Sequence, residues 1–177
     1  LYPAWGDDHQ DYAGFISRNE FVDLLRHAKK HHVEIILEFN LPGHANAIIQ
    51  SLDQADRWQL TDPEDTSEYR SAQGYTGNVI NVGMHDNYRL AKVILEEIKT
   101  MYDAAELPMS RIHFGGDEVP EGAWLHSPAC KRLPVWNTAW DVANPEQARE
   151  ATQALMAYHY GRITGIAEQV SPGIQTG

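Results

Sequence analysis

Cysteine is nearly absent from this sequence, because Cys130 is the only one among 177 residues. A single thiol excludes an internal disulfide and leaves the redox compartment open. Long apolar runs are also missing, and none approaches the roughly 20 residues that a membrane-spanning helix needs. The chain has neither an initiator Met nor the basic and then apolar start of an export signal. We therefore expect a globular piece of a longer protein.

Positive charge is scarce as well. The sequence has 14 Lys and Arg residues against 25 Asp and Glu residues, and its net charge is −11. This balance argues against nucleic acid or an anionic membrane as the partner. Apolar residues make up 42% and charged residues 22% of the chain, a composition typical of one globular domain with a sizeable core.

Start signals and apolar periodicity predict three long helices, over residues 17–32, 86–105 and 144–170. Ser17 and Glu20 form a capping box at the start of the first helix. Asp86 is expected to cap the second helix. Asn144 followed by Pro145 is a favourable start for the third.

Two strands alternate with these helices, over residues 33–39 and 111–114. In the first strand one face is wholly apolar, and the other becomes polar toward the end of the strand. Between the strands we expect a short helix over residues 45–52 and then a long polar loop over 53–77. Helices that alternate with apolar strands imply an α/β fold with a parallel sheet.

The stretch His-Phe-Gly-Gly-Asp-Glu-Val-Pro at residues 113–120 carries the candidate chemistry. Its two glycines allow a sharp turn and the close approach of a ligand. Asp117 and Glu118 follow, and two adjacent carboxylates in a semi-buried site cannot both be comfortably charged, so one is expected to hold a proton. A proton donor beside a charged carboxylate is the usual equipment for breaking a glycosidic bond. A solvated acidic turn is the alternative, which the glycines and the preceding strand disfavour.

His-x-Gly-Gly-Asp-Glu at residues 113–118 resembles the catalytic signature of family 20 glycoside hydrolases, the β-N-acetylhexosaminidases and chitobiases. A second segment, Glu-Phe-Asn-Leu-Pro-Gly-His at 38–44, is similar to that family's Glu-x-Asp-x-Pro-Gly-His. A third, Asn-Val-Ile-Asn at 78–81, also resembles the family. The segments occur in the family's order, and their joint match is highly specific.

The resemblance implies a (β/α)8 TIM barrel, in which ligands bind at the carboxyl ends of the strands. That barrel is about twice the length of this chain, and two strands cannot close a barrel. We therefore expect residues 1–177 to be a fragment of one catalytic barrel domain, a middle slice around its third and fourth strands. The isolated slice is expected to be inactive, because the family takes other sugar-binding residues from the remaining strands.

The resemblance also implies residue roles. In this family the 2-acetamido oxygen of the substrate attacks the anomeric carbon, and the configuration is retained. By resemblance Glu118 is the general acid and base, Asp117 orients the acetamide group, and His44 is the partner of Glu118. Further substrate-binding or supporting residues are predicted to be Glu38, Asn40, His113 and Trp124. Asn40 stands where the family usually has Asp, which removes a charge but keeps hydrogen-bonding capacity.

The implied substrate is an oligosaccharide with a terminal, non-reducing N-acetylglucosamine or N-acetylgalactosamine, as in chitobiose and chitin degradation. The implied reaction needs neither a metal nor an organic cofactor. The remainder of the parent barrel is the expected partner, and neither nucleic acid nor a membrane is expected. Members of this type are often exported, which would place the parent protein in the periplasm or outside the cell.

Two hypotheses from other classes stay open at this point. One is a non-catalytic carbohydrate-binding or structural domain that kept the motif, which Asn40 and the missing strands favour. The other is a metal hydrolase with the ligands Asp117, Glu118, His44 and His113. As an alternative to ligation, His113 is expected to be a buried hydrogen-bonding residue below the site.

The aromatic residues near these segments allow two interpretations each. Trp124 either packs beneath the loop after the carboxylates or lines the mouth of the site, and packing is favoured. Tyr2, Trp5 and Tyr12 are expected to anchor a loop at the start of the chain rather than to stack on a sugar.

Overall fold

The computed structural model describes residues 14–53 and 57–177. Tyr2, Trp5 and Tyr12, for which loop anchoring was predicted, lie outside the described residues. In chain order the described elements are α1 (Arg18–Lys30), β1 (Leu37–Glu38), α2 (Asn46–Asp53), α3 (His85–Ala104), β2 (Arg111–His113), α4 (Pro128–Lys131), α5 (Pro145–Val170) and β3 (Gln175–Thr176).

The strands form one parallel sheet in the order β1-β2-β3. Ile112 of β2 lies between Leu37 of β1 and Thr176 of β3. Just beyond β2 the pairing continues, because the Phe114 N–H donates to the Gly177 carbonyl at 2.8 Å. The predicted α/β fold with a parallel sheet is therefore confirmed.

Three helices bury one face of this sheet. Ile112 and Phe114 are buried on this face, whereas Arg111 and His113 on the opposite face are exposed. Helix α3 packs against both α1 and α5, and the shared core is formed by Phe21, Leu25, Ala91, Leu95, Tyr102, Ile112, Phe114, Ile163 and Ala167. None of the helices in the described ranges is long and apolar enough to cross a membrane.

The strands depart from the prediction in two ways. Only Leu37–Glu38 forms β1, while Val33 and Ile36 are 57% and 48% exposed. The apolar alternation predicted a longer strand, but within the described ranges only β2 lies beside β1, so the preceding residues have no partner strand on the other side. The third strand, β3, was not predicted, because its polar residues carry no apolar run.

Two of the three predicted helix starts are confirmed. Ser17 accepts from the Glu20 N–H while the Glu20 carboxylate accepts from the Ser17 N–H, which completes the capping box. Asn144 accepts at the start of α5. The predicted cap at Asp86 is wrong, because α3 begins before it. The Asp86 carboxylate instead accepts from the Gln59 N–H at 2.9 Å, which ties the long loop to this helix.

Candidate active site

The backbone turns sharply where β2 ends. Gly115 and Gly116 have φ values of 66° and 98°, in the left-handed region that favours glycine. A Cβ atom on Gly115 would overlap the side chain of Asn40, and one on Gly116 would overlap the hydroxyl of Tyr160. The Tyr160 hydroxyl also donates to the Gly115 carbonyl at 2.8 Å. Both glycines are therefore required by the backbone conformation and by the packing around it.

Asp117 and Glu118 follow this turn directly, and Glu118 itself has a φ of 55°. The Asp117 side chain is 62% exposed and that of Glu118 is 45% exposed. The expectation of a semi-buried pair is therefore wrong for the described part of the chain. The physical reason is that the turn lies at the uncovered end of the sheet, for which the described residues supply three strands.

His44 faces both carboxylates. Its Nε2 lies 3.4 Å from Asp117 Oδ2 and 3.4 Å from Glu118 Oε2. The loop after β1 holds His44 in place, since the next residue, Ala45, donates its N–H to the Asn78 carbonyl at 2.8 Å. The structure thus brings together the three side chains to which the resemblance assigned the central roles.

Asn40 links the loop after β1 to the turn after β2. Its Oδ1 accepts from the Gly116 N–H at 3.0 Å, and its Nδ2 donates to Asp117 Oδ1 at 2.9 Å. This donation is the largest cause that holds the pKa of Asp117 below its usual value, and the nearby His44 acts in the same direction, while partial desolvation opposes it. Asp117 is therefore charged at neutral pH.

Glu38 and His113 form a separate pair on neighbouring strands. His113 Nδ1 lies 3.1 Å from Glu38 Oε2, and both side chains are about half exposed. The same nitrogen is 3.1 Å from the Gly115 N–H. One nitrogen cannot donate to Glu38 and accept from Gly115 at once, so the protonation of His113 decides which contact is made. The prediction of a buried His113 is wrong, because its face of β2 is uncovered in the described residues.

Trp124 lies beneath the loop that follows the carboxylates. It is 2% exposed, and its indole N–H donates to the Ile80 carbonyl at 2.9 Å. The packing interpretation is therefore the one that the structure bears out, and Trp124 supports the loop from below.

Two polar contacts of the site were not predicted. Gln73 Nε2 donates to Glu118 Oε2, and Tyr160 holds the Gly115 carbonyl. Gln73 belongs to a polar loop without periodicity, and Tyr160 lies in a long helix beside the buried His159. Neither position carries a motif, so only the tertiary fold shows that they reach the site.

The group of His44, Asp117 and Glu118 is compact enough to hold a cation, since ligand atoms of the three residues lie within 4.8 Å of one another. Two amide groups donate to the carboxylates, from Asn40 and from Gln73. Each amide takes one of the several lone pairs of its carboxylate partner. The expected fourth ligand, His113, lies beside Glu38 instead. The four-ligand metal centre of the alternative hypothesis is therefore not assembled by Asp117, Glu118, His44 and His113 in this structure.

The site is thus an exposed carboxylate pair with a facing histidine, at the carboxyl ends of parallel strands in an α/β fold. Comparison with known proteins gives the family. The model of the catalytic domain of glycosyl hydrolase family 20 matches residues 2–168, and the chain belongs to this family.

Individual relatives agree with this assignment. A beta-hexosaminidase of Vibrio furnissii is 36% identical over 170 residues, which cover 96% of this chain and 25% of the relative. An N,N'-diacetylchitobiase of Vibrio harveyi is 31% identical over 152 residues, which cover 76% of this chain and 17% of the relative. The chain thus spans a quarter or less of the length of these curated relatives.

A solved structure is similar as well. The exo beta-N-acetylglucosaminidase of Vibrio harveyi in complex with N-acetylglucosamine has a TM-score of 0.65 and 31% identity to this chain. The match covers 93% of this chain and 22% of that structure.

Proposed function

We propose that this chain is part of a β-N-acetylhexosaminidase and carries its acid and base residue. The substrate would be an oligosaccharide with a terminal N-acetylglucosamine or N-acetylgalactosamine at its non-reducing end. The observation that carries the proposal is the grouping of His44, Asp117 and Glu118 within 4.8 Å at the end of β2. The names and ligands of the similar proteins support it.

The proposed architecture is a (β/α)8 barrel of which residues 1–177 form a middle slice within one catalytic domain. In this proposal β1 and β2 are the third and fourth barrel strands, and β3 is the strand that follows. The parallel order of the three strands supports this arrangement. The carboxyl ends of these strands would form part of the floor of the active site.

The proposed reaction retains the anomeric configuration with help from the substrate. The acetamido oxygen of the bound sugar attacks the anomeric carbon while Glu118 donates a proton to the departing oxygen. A cyclic oxazolinium intermediate results, and Glu118 then takes a proton from the water that opens it. No covalent bond to the protein forms, so the protein must supply a proton donor and a group that orients the acetamide.

Asp117 is proposed to be that orienting group. Its carboxylate is charged at neutral pH, and the Asn40 amide strengthens this by lowering its pKa further. A charged carboxylate accepts a hydrogen bond from the acetamide N–H and stabilises the positive charge that develops on the ring being formed. His44 lies between the two carboxylates and is proposed to orient Glu118. Glu38, His113 and Trp124 are proposed to support this group from the neighbouring strand and loop.

The test is release of p-nitrophenol from p-nitrophenyl β-N-acetylglucosaminide by the longer protein that contains this chain. Removing the general acid with Glu118→Gln is expected to lower kcat by about 10²-fold or more, with little change in sugar binding. Glu121→Gln is the matched control, because Glu121 is exposed and lies only three residues further along. A Glu118→Gln variant with a near-normal rate would refute the assignment of the acid.

The same assay addresses the alternative of a non-catalytic carbohydrate-binding domain. A longer protein that binds N-acetylglucosamine but releases no p-nitrophenol would favour that alternative. Activity that disappears in Glu118→Gln and persists in Glu121→Gln would exclude it.

A further inference from the structure

We propose that Gln73 is a positioning residue that fixes the orientation of the Glu118 carboxyl group, so that the catalytic proton is carried by Oε1. The inference rests on the proposed function, because it assigns a role in the protonation step of that reaction. It extends the site to the long loop between α2 and α3, to which the motifs assign no role.

The contact itself selects one oxygen. Gln73 Nε2 donates to Glu118 Oε2, and His44 Nε2 lies 3.4 Å from the same oxygen. An amide nitrogen can only donate, so Oε2 must act as the acceptor in this pair. When Glu118 holds its proton, the proton therefore belongs on Oε1. This orientation leaves the O–H of Oε1 free to meet a leaving oxygen.

A hydrogen-bonded turn places Gln73 at the tip of the loop. Ser71 closes a tight turn, because its N–H donates to the Tyr75 carbonyl at 2.8 Å and its carbonyl accepts from the Gly74 N–H at 2.9 Å. The Ser71 hydroxyl also accepts from the Tyr75 N–H at 3.1 Å. Ser71 is 5% exposed, so the base of the turn is buried in the protein. Gln73 at the tip of the turn is exposed.

The loop that carries this turn is fixed to the rest of the structure on both sides of it. Before the turn, the Asp62 carboxylate accepts from the Ser127 hydroxyl at 2.7 Å and from the Ala129 N–H at 2.9 Å. After the turn, the Ile80 N–H donates to the Pro42 carbonyl at 3.0 Å. These attachments hold the tip of the loop over the end of β2, and the position of Gln73 is thus set by the fold.

The chemical consequence depends on the leaving group. A sugar or another poor leaving group departs only if a proton reaches its oxygen, whereas a dinitrophenolate ion departs without one. In the bond-breaking step, a misoriented Glu118 would therefore slow the first class of substrate and leave the second nearly unchanged. General damage to the loop would slow both.

The experiment compares Gln73→Met with wild type in the longer protein, because Met keeps the length of the side chain and removes the donor. The substrates are chitobiose and dinitrophenyl β-N-acetylglucosaminide. We expect kcat/KM on chitobiose, which reports the bond-breaking step alone, to fall roughly tenfold, with less than about a twofold change in kcat/KM on the dinitrophenyl substrate. Gln59→Met is the control, since Gln59 is exposed in the same loop and only its backbone N–H bonds to Asp86.

Equal losses on both substrates, or no loss on chitobiose, would overturn the role of Gln73 while leaving the proposed function standing. If the wild-type longer protein cleaves neither substrate, the proposed function itself is refuted. The contact can be tested apart from catalysis by NMR of the ¹⁵N-labelled Gln73 side-chain amide. Its chemical shift should differ between wild type and Glu118→Gln, because the substitution replaces the acceptor carboxyl group with an amide, and an unchanged shift would contradict the contact.

Discussion

The amide group of Asn40 has a definite orientation because its two neighbours differ. The Gly116 N–H is only a donor and therefore faces Oδ1, which leaves Nδ2 to donate to Asp117. An aspartate at this position would place an oxygen where Nδ2 lies, 2.9 Å from Asp117 Oδ1. Two carboxylates at that separation cannot both be charged, so they would share a proton. The amide thus allows Asp117 to stay ionised.

Asn40→Asp is therefore expected to raise the pKa of Asp117 and to make the two carboxyl groups titrate as a pair. In wild type the pKa of Asp117 is lowered, so its stabilising contribution is complete above the ordinary pKa near 3.8 and is lost as pH falls through the lower folded value. In the variant the pKa is raised instead of lowered. The dependence of stability on pH therefore has the opposite sign, and stability falls as pH rises through the titration of the pair. ¹³C NMR titration of the Asp117 carboxyl carbon measures the shift.

Asn19→Asp is the control for this titration, because it adds the same charge on the exposed surface of α1. It should leave the Asp117 titration where it is in wild type. An Asn40→Asp variant whose Asp117 titrates as in wild type would show that the amide contact does not determine the charge of Asp117.

At the residue scale, sequence patterns picked out His44, Asp117, Glu118 and Asn40, which the structure brings together, but they did not pick out Gln73 or Tyr160. His44, Asp117 and Glu118 lie in short local motifs that can be read directly from the sequence. Gln73 and Tyr160 reach the site only through the path of a loop and the packing of a helix. No local pattern records such contacts, because they join residues that are distant in the chain.

At the scale of elements, the junction between β2 and α5 determines how the site loop is held. The Cα atom of Gly116 faces the hydroxyl group of Tyr160 in α5, where a Cβ atom would overlap it. The same hydroxyl donates to the Gly115 carbonyl. Burial is the main cause that raises the pKa of Tyr160, and the nearby charge of Asp117 adds to it. Tyr160 therefore remains a neutral donor, and α5 acts as a rigid support behind the turn.

Gly116→Ala is expected to destabilise the protein, because its φ of 98° and the overlap with Tyr160 both disfavour a Cβ atom. The expected cost is about 1–3 kcal/mol, measured as a lower urea midpoint of the longer protein. Gly161→Ala is the matched control within α5, where an added Cβ meets no atom within 4 Å. It should stabilise by up to about 1 kcal/mol, since Ala favours helix over Gly. Equal midpoints for both variants would contradict the proposed support.

The elements also show where periodicity is informative. The helices could be placed because their caps and apolar stripes are local, as at Ser17 and Asn144. The start of β1 was misjudged because a strand needs a partner, and the partner is not encoded in the strand's own sequence. Asp86 looked like a helix cap but bonds to the loop at Gln59, which a local pattern cannot distinguish.

At the scale of the whole molecule, the sheet has two outer edges. In the described residues β1 pairs only with β2 on one side, and β3 likewise pairs only with β2. Exposed strand edges and exposed apolar side chains favour association with other chains. Val33 and Ile36, next to β1, are 57% and 48% exposed. Further strands of the proposed barrel would cover these positions.

The isolated 177-residue chain is accordingly expected to unfold in a broad transition of low cooperativity, to self-associate and to release no p-nitrophenol from the β-N-acetylglucosaminide. The longer protein should unfold sharply under the same conditions, because its barrel would pair both edges and supply the remaining sugar contacts. Differential scanning calorimetry, light scattering and the chromogenic assay compare the two. A sharp, reversible transition of an active, monomeric isolated chain would show that three strands suffice, and it would refute both the barrel-slice proposal and the dependence of the site on further strands.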